Sequence, residues 1–312
     1  MSAITKVQKP RTRNMRSMCH TPSYLDALCK GIHCRHILTC LLYPQASLVS
    51  SKRERMFKMQ TLLVRKQGPI QWIRFHRPDV RNAVNPQMMG ELEQVLTEIE
   101  QDPQCKVVIF SGDERAFVSG GDLDALHQYG HKHEIQPIME RMGRILERVH
   151  GLAPLTVAFV EGAAVGGGCE IVASCDLCFA SATARFGMIQ VKLGITTGWG
   201  GAGRLMRKIG PARALPLLLT GQILSASEAK ASGLVDVLLD GERADQAVQE
   251  FAEQVAKAPL EIIRFYKGLA EEVNRGVPSA ELYAREAEQC ASLWESEEHA
   301  QAVREFLARR KS

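Results

Sequence analysis

Short, continuously apolar runs that alternate with glycine-rich turns are the feature that most limits how this chain can fold. Residues 106–111 (KVVIFS), 155–160 and 177–180 are such runs. Runs of this length without polar alternation predict strands that are buried on both faces, as in a parallel sheet. Apolar residues near helical spacing separate these runs, and the pattern beyond Pro211 is mostly helical. This order of strand, turn and helix predicts an α/β fold with a helical tail.

Three local patterns predict individual elements. Alternating apolar residues over 61–75, interrupted by Gly68-Pro69, predict a β-hairpin. Apolar residues at helical spacing predict a helix over 86–99, with its proline in the first turn. A second helix is predicted over 137–149.

The charge of the chain is unevenly distributed. Residues 1–56 contain ten Lys or Arg and two acidic residues, whereas the other 256 residues contain 29 basic and 33 acidic ones. A mildly acidic body offers no general reason to bind nucleic acid, so no nucleic-acid partner is expected. The sequence contains no run of about 18 uncharged apolar residues, and it therefore predicts no membrane span.

Three regions are predicted along the 312 residues. Residues 1–58 form a basic segment that is either a disordered extension or a targeting segment, residues 59–250 form the catalytic core, and residues 251–312 form a helical C-terminal region. The nine cysteines lack disulfide-like regularity, which indicates a reducing compartment. We expect the cytoplasm, or the mitochondrial matrix if the basic segment is a transit peptide.

Two glycine-rich turns stand where a predicted strand passes into a helix. They are Ser119-Gly120-Gly121-Asp122 and Gly166-Gly167-Gly168. Glycine lets the backbone approach a ligand closely, and the free N–H groups of a helix's first turn favour negative charge. One amide from each turn could hold a carbonyl oxygen as it becomes an oxyanion. Neither turn has the spacing of a phosphate loop or a dinucleotide fingerprint, and purely structural turns remain an alternative.

A series of motifs runs in order through residues 60–270. They are Arg77-Pro78 with Arg81-Asn82-Ala83, the run Ala116-Phe117-Val118-Ser119-Gly120-Gly121-Asp122-Leu123, Val160-Glu161-Gly162, Gly166-Gly167-Gly168-Cys169-Glu170, Cys175-Asp176-Leu177, Phe186-Gly187, and Gly198-Trp199-Gly200-Gly201 with Arg204-Leu205. In this order and spacing the sequence resembles the crotonase, or enoyl-CoA hydratase/isomerase, family. The resemblance implies an α/β crotonase-like spiral of ββα units with a helical C-terminal trimerisation region. It also implies an acyl-CoA thioester substrate, a homotrimer or hexamer, no metal, and no cofactor other than the coenzyme A of the substrate.

The resemblance also implies roles for individual residues. Gly121 and Gly167 would supply the two amides of the oxyanion hole. The predicted substrate-binding residues are Val80, Ala83, Asp122, Leu123 and Trp199. Trp199 would either form a wall of the acyl pocket or pack in the core. Lys267 would reach a phosphate of coenzyme A or lie on a solvent-exposed helix face.

The predicted catalytic pair departs from the family pattern at one position. Hydratases of the family use two glutamates that hold and activate a water molecule, and the first of them matches Glu170. The second position, in the stretch after Phe186-Gly187, is Gln190. Glutamine can orient a water molecule but can neither give up nor accept a catalytic proton. For Glu170 the structural alternative is an acid favoured by the helix dipole at a helix start.

The resemblance predicts an acyl-CoA enzyme of the enoyl-CoA hydratase/isomerase type, which stabilises a thioester enolate in fatty-acid or short-chain acyl-CoA metabolism. One alternative is a malonyl-type acyl-CoA decarboxylase of the same fold, because decarboxylation requires enolate stabilisation and no second carboxylate. Another is a non-catalytic acyl-CoA-binding family member. The sequence His131-Lys132-His133-Glu134 suggests a metal site, but its spacing on a polar loop without further ligands argues against one.

Overall fold

Two β-sheets organise the part of the chain that the computed structural model describes, which comprises residues 55–239, 241 and 243–310. The strands are β1 (Arg55–Lys58), β2 (Leu62–Gln67), β3 (Ile70–Phe75), β4 (Val107–Ser111), β5 (Ala116–Val118), β6 (Leu155–Val160), β7 (Ala163–Val165), β8 (Leu177–Ser181), β9 (Arg185–Gly187), β10 (Leu224–Ser225) and β11 (Val237–Leu239). The helices are α1 (Pro86–Glu100), α2 (Leu123–Leu126), α3 (Lys132–Gly151), α4 (Gly167–Ser174), α5 (Gly201–Ile209), α6 (Pro211–Thr220), α7 (Ala226–Ser232), α8 (Ala244–Val255), α9 (Leu260–Asn274), α10 (Ser279–Trp294) and α11 (Glu297–Arg309). Two short 3₁₀ helices cover Pro78–Val80 and Ile189–Leu193.

The larger sheet has the strand order β1-β2-β3-β4-β6-β8-β11. Strands β1, β2 and β3 pair antiparallel, and every later neighbour in this sheet pairs parallel. The predicted hairpin is confirmed as β2 and β3, with Gln67 opposite Ile70 and Gly68 at a φ of 59° in the turn. Strand β1 comprises four residues that the sequence interpretation assigns to the N-terminal segment.

The chain alternates between the two sheets. Strands β4, β6 and β8 lie in the larger sheet, and each is followed by a short strand of the smaller sheet, whose order is β10-β9-β7-β5. A helix or a 3₁₀ helix follows each short strand. Strands β5 and β7 pair in parallel, with Ala116 opposite Ala163 and Val118 opposite Ala164. Parallel neighbours end at the same edge of a sheet, so the glycine-rich turns that follow β5 and β7 are brought together.

Strand β4 shows why its sequence is continuously apolar. Val107 and Ile109 pack in an outer cluster that includes Val248 of α8. Val108 and Phe110 point to the opposite face and pack in the main core. Because successive side chains of a strand alternate between the two faces, a strand covered on both faces needs apolar residues at every position.

Helix α3 begins earlier than predicted, at Lys132 instead of residue 137. The Glu134 carboxylate accepts a hydrogen bond of 3.0 Å from the His131 N–H and so satisfies an amide at the helix start. Pro137 consequently lies inside the helix. Glu134 therefore acts as a helix cap, and in the described residues no group of three or more His, Cys, Asp or Glu side chains could hold a metal ion.

The C-terminal helices carry little of the core. Helices α10 and α11 contain no buried residue. Several of their large apolar side chains are exposed, with Tyr283 at 65%, Trp294 at 66% and Phe306 at 62%. This arrangement agrees with the predicted helical tail and leaves an apolar surface on it.

Candidate active site

The first glycine turn is held by the loop that precedes α1. The Val84 amide donates to the Gly120 carbonyl (2.8 Å), and the Asp122 amide donates to the Val84 carbonyl (2.9 Å). Gly120 has a φ of 113°, a conformation that glycine adopts without steric cost. Asp122 then starts α2 by accepting from the Ala125 amide at 3.1 Å. The turn is thus fixed on both sides of Gly121.

The second glycine turn joins β7 to α4. Gly166 has a φ of 56°, and a β-carbon on Gly168 would lie 2.0 Å from the Val118 carbonyl oxygen, so only glycine fits there. The two turns touch, since a β-carbon on Gly120 would lie 3.4 Å from the Gly167 nitrogen. Neither Gly121 nor Gly167 donates its N–H in any of the turn and loop hydrogen bonds of the described residues. Two amides from adjoining turns are therefore available to an external oxygen atom.

Glu170 lies in the first turn of α4 and is only 2% exposed. Its Oε2 accepts hydrogen bonds from the amides of Trp199 (2.9 Å) and Gly201 (2.8 Å). Burial raises the pKa of Glu170 above its ordinary value, although these hydrogen bonds partly offset the effect. A buried carboxyl group with a raised pKa beside two free amides is suited to proton transfer.

Gln190 faces Glu170 from the 3₁₀ helix Ile189–Leu193. Its side-chain Nε2 donates to Glu170 Oε1 at 2.9 Å. Its Oε1 atom is buried and has no hydrogen-bond partner, and it is the only such side-chain atom found among the described residues. A buried acceptor without a donor is unfavourable unless a ligand or water molecule satisfies it. The sequence-predicted pair is thus brought together, with one acceptor left open.

Trp199 lies between the glutamate and the glycine turns. A β-carbon on Gly167 would lie 2.0 Å from Cζ3 of the indole, and one on Gly121 would lie 3.6 Å from its Cζ2. The residue is 3% exposed and belongs to the main apolar core. Both alternatives for Trp199 are therefore compatible with its position, since it packs in the core and lies against both turns.

Sequence reasoning missed the supporting role of Arg204 in α5. Its Nη1 donates to the Trp199 carbonyl (2.8 Å) and its Nη2 pairs with Glu147 (2.8 Å). Arg204 is 7% exposed, and a buried guanidinium requires such partners. The sequence signal for this role was its place at the edge of the apolar face that Leu205 and Ile209 form on the helix.

The remaining predicted substrate-binding residues lie along the first turn. Arg77 donates to the Ala83 carbonyl (2.6 Å) and pairs with Asp122 (2.7 Å). Burial raises the pKa of Asp122, but its hydrogen bonds with Arg77 and with the Ala125 and Asp124 amides, together with the positive charge of Arg77, leave the pKa below its ordinary value. Val80 is 38% exposed and Leu123 is 61% exposed, so both side chains are accessible to a ligand.

Both interpretations of Lys267 were wrong. Its ammonium group pairs with Asp176 (2.8 Å) and donates to the carbonyls of Leu152 (2.6 Å) and Pro154 (2.8 Å). These partners use the three donors of the group and tie α9 to the core. The lysine therefore neither lies on an exposed helix face nor is free to bind a phosphate.

Comparisons with known proteins agree with this architecture. The family model for enoyl-CoA hydratase/isomerase matches residues 65–312. A probable enoyl-CoA hydratase of Rhizobium meliloti is 33% identical over 255 residues, which cover 81% of this chain and 97% of the relative. A short-chain-enoyl-CoA hydratase of Clostridium acetobutylicum is 32% identical over 262 residues, with 81% and 97% covered.

Solved structures of the same family share the fold. The crystal structure of an enoyl-CoA hydratase from Bacillus anthracis superposes with a TM-score of 0.75 at 26% identity, covering 80% of this chain and 97% of that one. One from Geobacillus kaustophilus gives 0.75 at 27% identity, covering 82% and 97%. The predicted crotonase-like fold is confirmed, and the chain belongs to the enoyl-CoA hydratase/isomerase family and is an enzyme of that type.

Proposed function

We propose that this enzyme adds water to the double bond of a 2-enoyl-CoA thioester. The observation that carries the proposal is the open Oε1 of Gln190 beside the Glu170 carboxylate. Hydratase relatives support hydration over decarboxylation or non-catalytic acyl-CoA binding. The reaction as proposed requires the substrate, a water molecule and groups of the chain, and no cofactor besides the coenzyme A of the substrate.

The thioester carbonyl would accept hydrogen bonds from the Gly121 and Gly167 amides. When a nucleophile adds to the β-carbon, the π electrons of the double bond move toward the thioester and its oxygen becomes an enolate. Two preorganised amides in a site without bulk water stabilise that charge more than the ground-state carbonyl. The coenzyme A arm, where it extends outward from the site, would then be bordered by Val80, Ala83, Asp122 and Leu123.

The water molecule would lie between Gln190 and Glu170. A water molecule has two hydrogens, and here one would be donated to the open Gln190 Oε1 and the other to Glu170 Oε1, which keeps a lone pair. Its own lone pair would then face the β-carbon. Glu170 would take the proton as the C–O bond forms and give it to the α-carbon afterwards, so that one carboxyl group serves as base and acid.

Hydration of crotonyl-CoA by wild type and by Gln190→Leu tests this arrangement. Removing the acceptor for water is expected to lower kcat/KM by about tenfold, the scale of one hydrogen bond in a buried site. Gln190→Glu keeps an oxygen acceptor at this place and adds the second carboxyl group of the family pattern, so its rate should equal or exceed that of wild type. CO₂ release from methylmalonyl-CoA without crotonyl-CoA hydration would instead assign decarboxylation and overturn the proposal.

The pH dependence of hydration provides a second test. The base must be ionised, and burial raises the pKa of Glu170 above the ordinary 4.5. The rate is lost as pH falls through this raised pKa, so the acidic limb of kcat/KM lies above pH 4.5. Gln190→Leu removes a hydrogen bond that lowers this pKa, and the limb is expected to move to still higher pH. A limb at the ordinary glutamate value would contradict the assignment.

We also propose a homotrimer or hexamer in a reducing compartment, the cytoplasm. The exposed apolar side chains of α10 and α11 support self-association, which sedimentation velocity would measure. Cys169 and Cys175 are buried free thiols, which agrees with a reducing compartment. Within the described residues no helix is long and apolar enough to cross a membrane. In the alternative of a mitochondrial protein, the predicted segment 1–58 would direct the chain there. This segment lies almost wholly outside the described residues. The division of the chain at residues 58 and 250 stays a proposal.

A further inference from the structure

Trp199 contacts both ends of the space in which the reaction would occur, with its indole at the glycine turns and its backbone amide at Glu170. Its ring lies against Gly167, where a β-carbon would be 2.0 Å from Cζ3, and approaches Gly121. Its own amide holds Glu170 Oε2 at 2.9 Å. If the α- and β-carbons of a substrate lie between the two amides and the carboxyl group, they must lie beside this ring.

The indole is held in place from several sides. The Trp199 carbonyl accepts from Arg204, which is itself paired with Glu147. A β-carbon on Gly198, the preceding residue, would lie 2.7 Å from Sδ of Met139 in α3, so the backbone here is pressed against that helix. The backbone hydrogen bonds fix the position of the Trp199 main chain, and the core packed around the side chain, which is 3% exposed, restricts rotation of the indole.

The surroundings of the ring leave little space for a long chain. A β-carbon on Gly121 would lie 2.9 Å from Cδ1 of Leu126, a nearly buried residue of α2. Trp199 itself packs in the same core cluster as Phe117 and Met142, which are fully buried. Well-packed cores offer no voids for additional methylene groups.

We infer that Trp199 sets the depth of the acyl pocket, so that the enzyme selects short acyl chains such as the crotonyl group over chains such as octenoyl. This inference rests on the proposed function of the site. It makes Trp199 a specificity-determining residue, in addition to its backbone contact with Glu170.

The affinities of butyryl-CoA and octanoyl-CoA, measured by calorimetry, test the inference without requiring turnover. Wild type is expected to bind butyryl-CoA more tightly. In Trp199→Ala the vacated space is expected to raise the affinity for octanoyl-CoA, relative to butyryl-CoA, by about tenfold or more, because buried methylene groups contribute favourably. Trp199→Phe, which keeps an aromatic ring but withdraws the outer edge of the indole from Gly167, should give a smaller change in the same direction.

Trp72→Phe is the matched control, because Trp72 is a buried tryptophan of the outer cluster. It should leave the butyryl-to-octanoyl ratio unchanged. The inference is overturned if wild type prefers octanoyl-CoA, or if the Trp199 variants keep the wild-type ratio. Loss of chain selection in these variants, with no hydration of crotonyl-CoA by wild type, would remove the proposed reaction and leave the inference standing. Hydration of crotonyl-CoA by wild type, with the butyryl-to-octanoyl ratio unchanged in the Trp199 variants, would support the proposed reaction and remove the inference.

Discussion

Glu170→Gln is expected to lower kcat for crotonyl-CoA hydration by about 10²- to 10⁴-fold, the usual contribution of a general acid–base group. The substituted amide keeps the size of the side chain and its oxygen. It can neither take a proton from water nor give one to the α-carbon. The change is measured from the loss of the enoyl thioester absorbance, in a stopped-flow or steady-state assay.

The same variant should fold normally, and this makes the kinetic result interpretable. The new amide oxygen can accept from Trp199 and Gly201, as Oε2 does now. Its NH₂ group would face Gln190, whose amide can rotate to present Oε1 as the acceptor. Folding raises the pKa of Glu170, so its ionised form destabilises the folded state, and the thermal midpoint should be unchanged or higher. A folded variant with a rate within tenfold of wild type would show that Glu170 is structural.

Local sequence patterns predicted those parts of the fold that depend on nearby residues. The hairpin β2–β3 follows from alternation around Gly68, and β4 from an apolar run covered on both faces. Glu170 and Gln190, which are hydrogen-bonded across twenty positions, could be predicted as a pair only from the family resemblance. No local pattern specifies which of the turns that follow the strands come together. The parallel pairing of β5 with β7 brings the two glycine turns together.

Long-range partners explain where the predictions were wrong. Lys267 contacts the carbonyl of Leu152, which is 115 positions away, so its helix pattern gave no sign that its charge is paired within the fold. Arg204 likewise depends on Glu147, 57 positions away. Helix α3 begins early because the side chain of Glu134 caps it, a local signal that was interpreted only as a candidate ligand. A charged side chain's role is determined by its partners in the fold, and residue type alone does not specify them.

Gly167→Ala is expected to reduce hydration by about 10²- to 10³-fold, the cost of losing one oxyanion-hole donor. The added methyl group would lie 2.0 Å from Cζ3 and 2.3 Å from Cη2 of Trp199. The indole is a rigid ring within the core, and its backbone is held by Glu170 and Arg204. Because the indole does not yield, the Gly166-Gly167-Gly168 turn must move, and the Gly167 N–H then moves away from the thioester oxygen.

Gly203→Ala is the control, because Gly203 lies on an exposed part of α5 and a β-carbon there would meet nothing within 4 Å. Alanine is the better helix former, so this variant should keep its rate and gain about 0.5–1 kcal/mol of stability. Calorimetry with butyryl-CoA separates the two consequences of Gly167→Ala. Free coenzyme A should bind as it does to wild type, because its proposed contacts lie along the first turn, while the advantage of the thioester over free coenzyme A should fall. Equal hydration rates for the two alanine variants would mean that the Gly167 amide does not hold the oxyanion, because the same methyl group would then have been tolerated in both places.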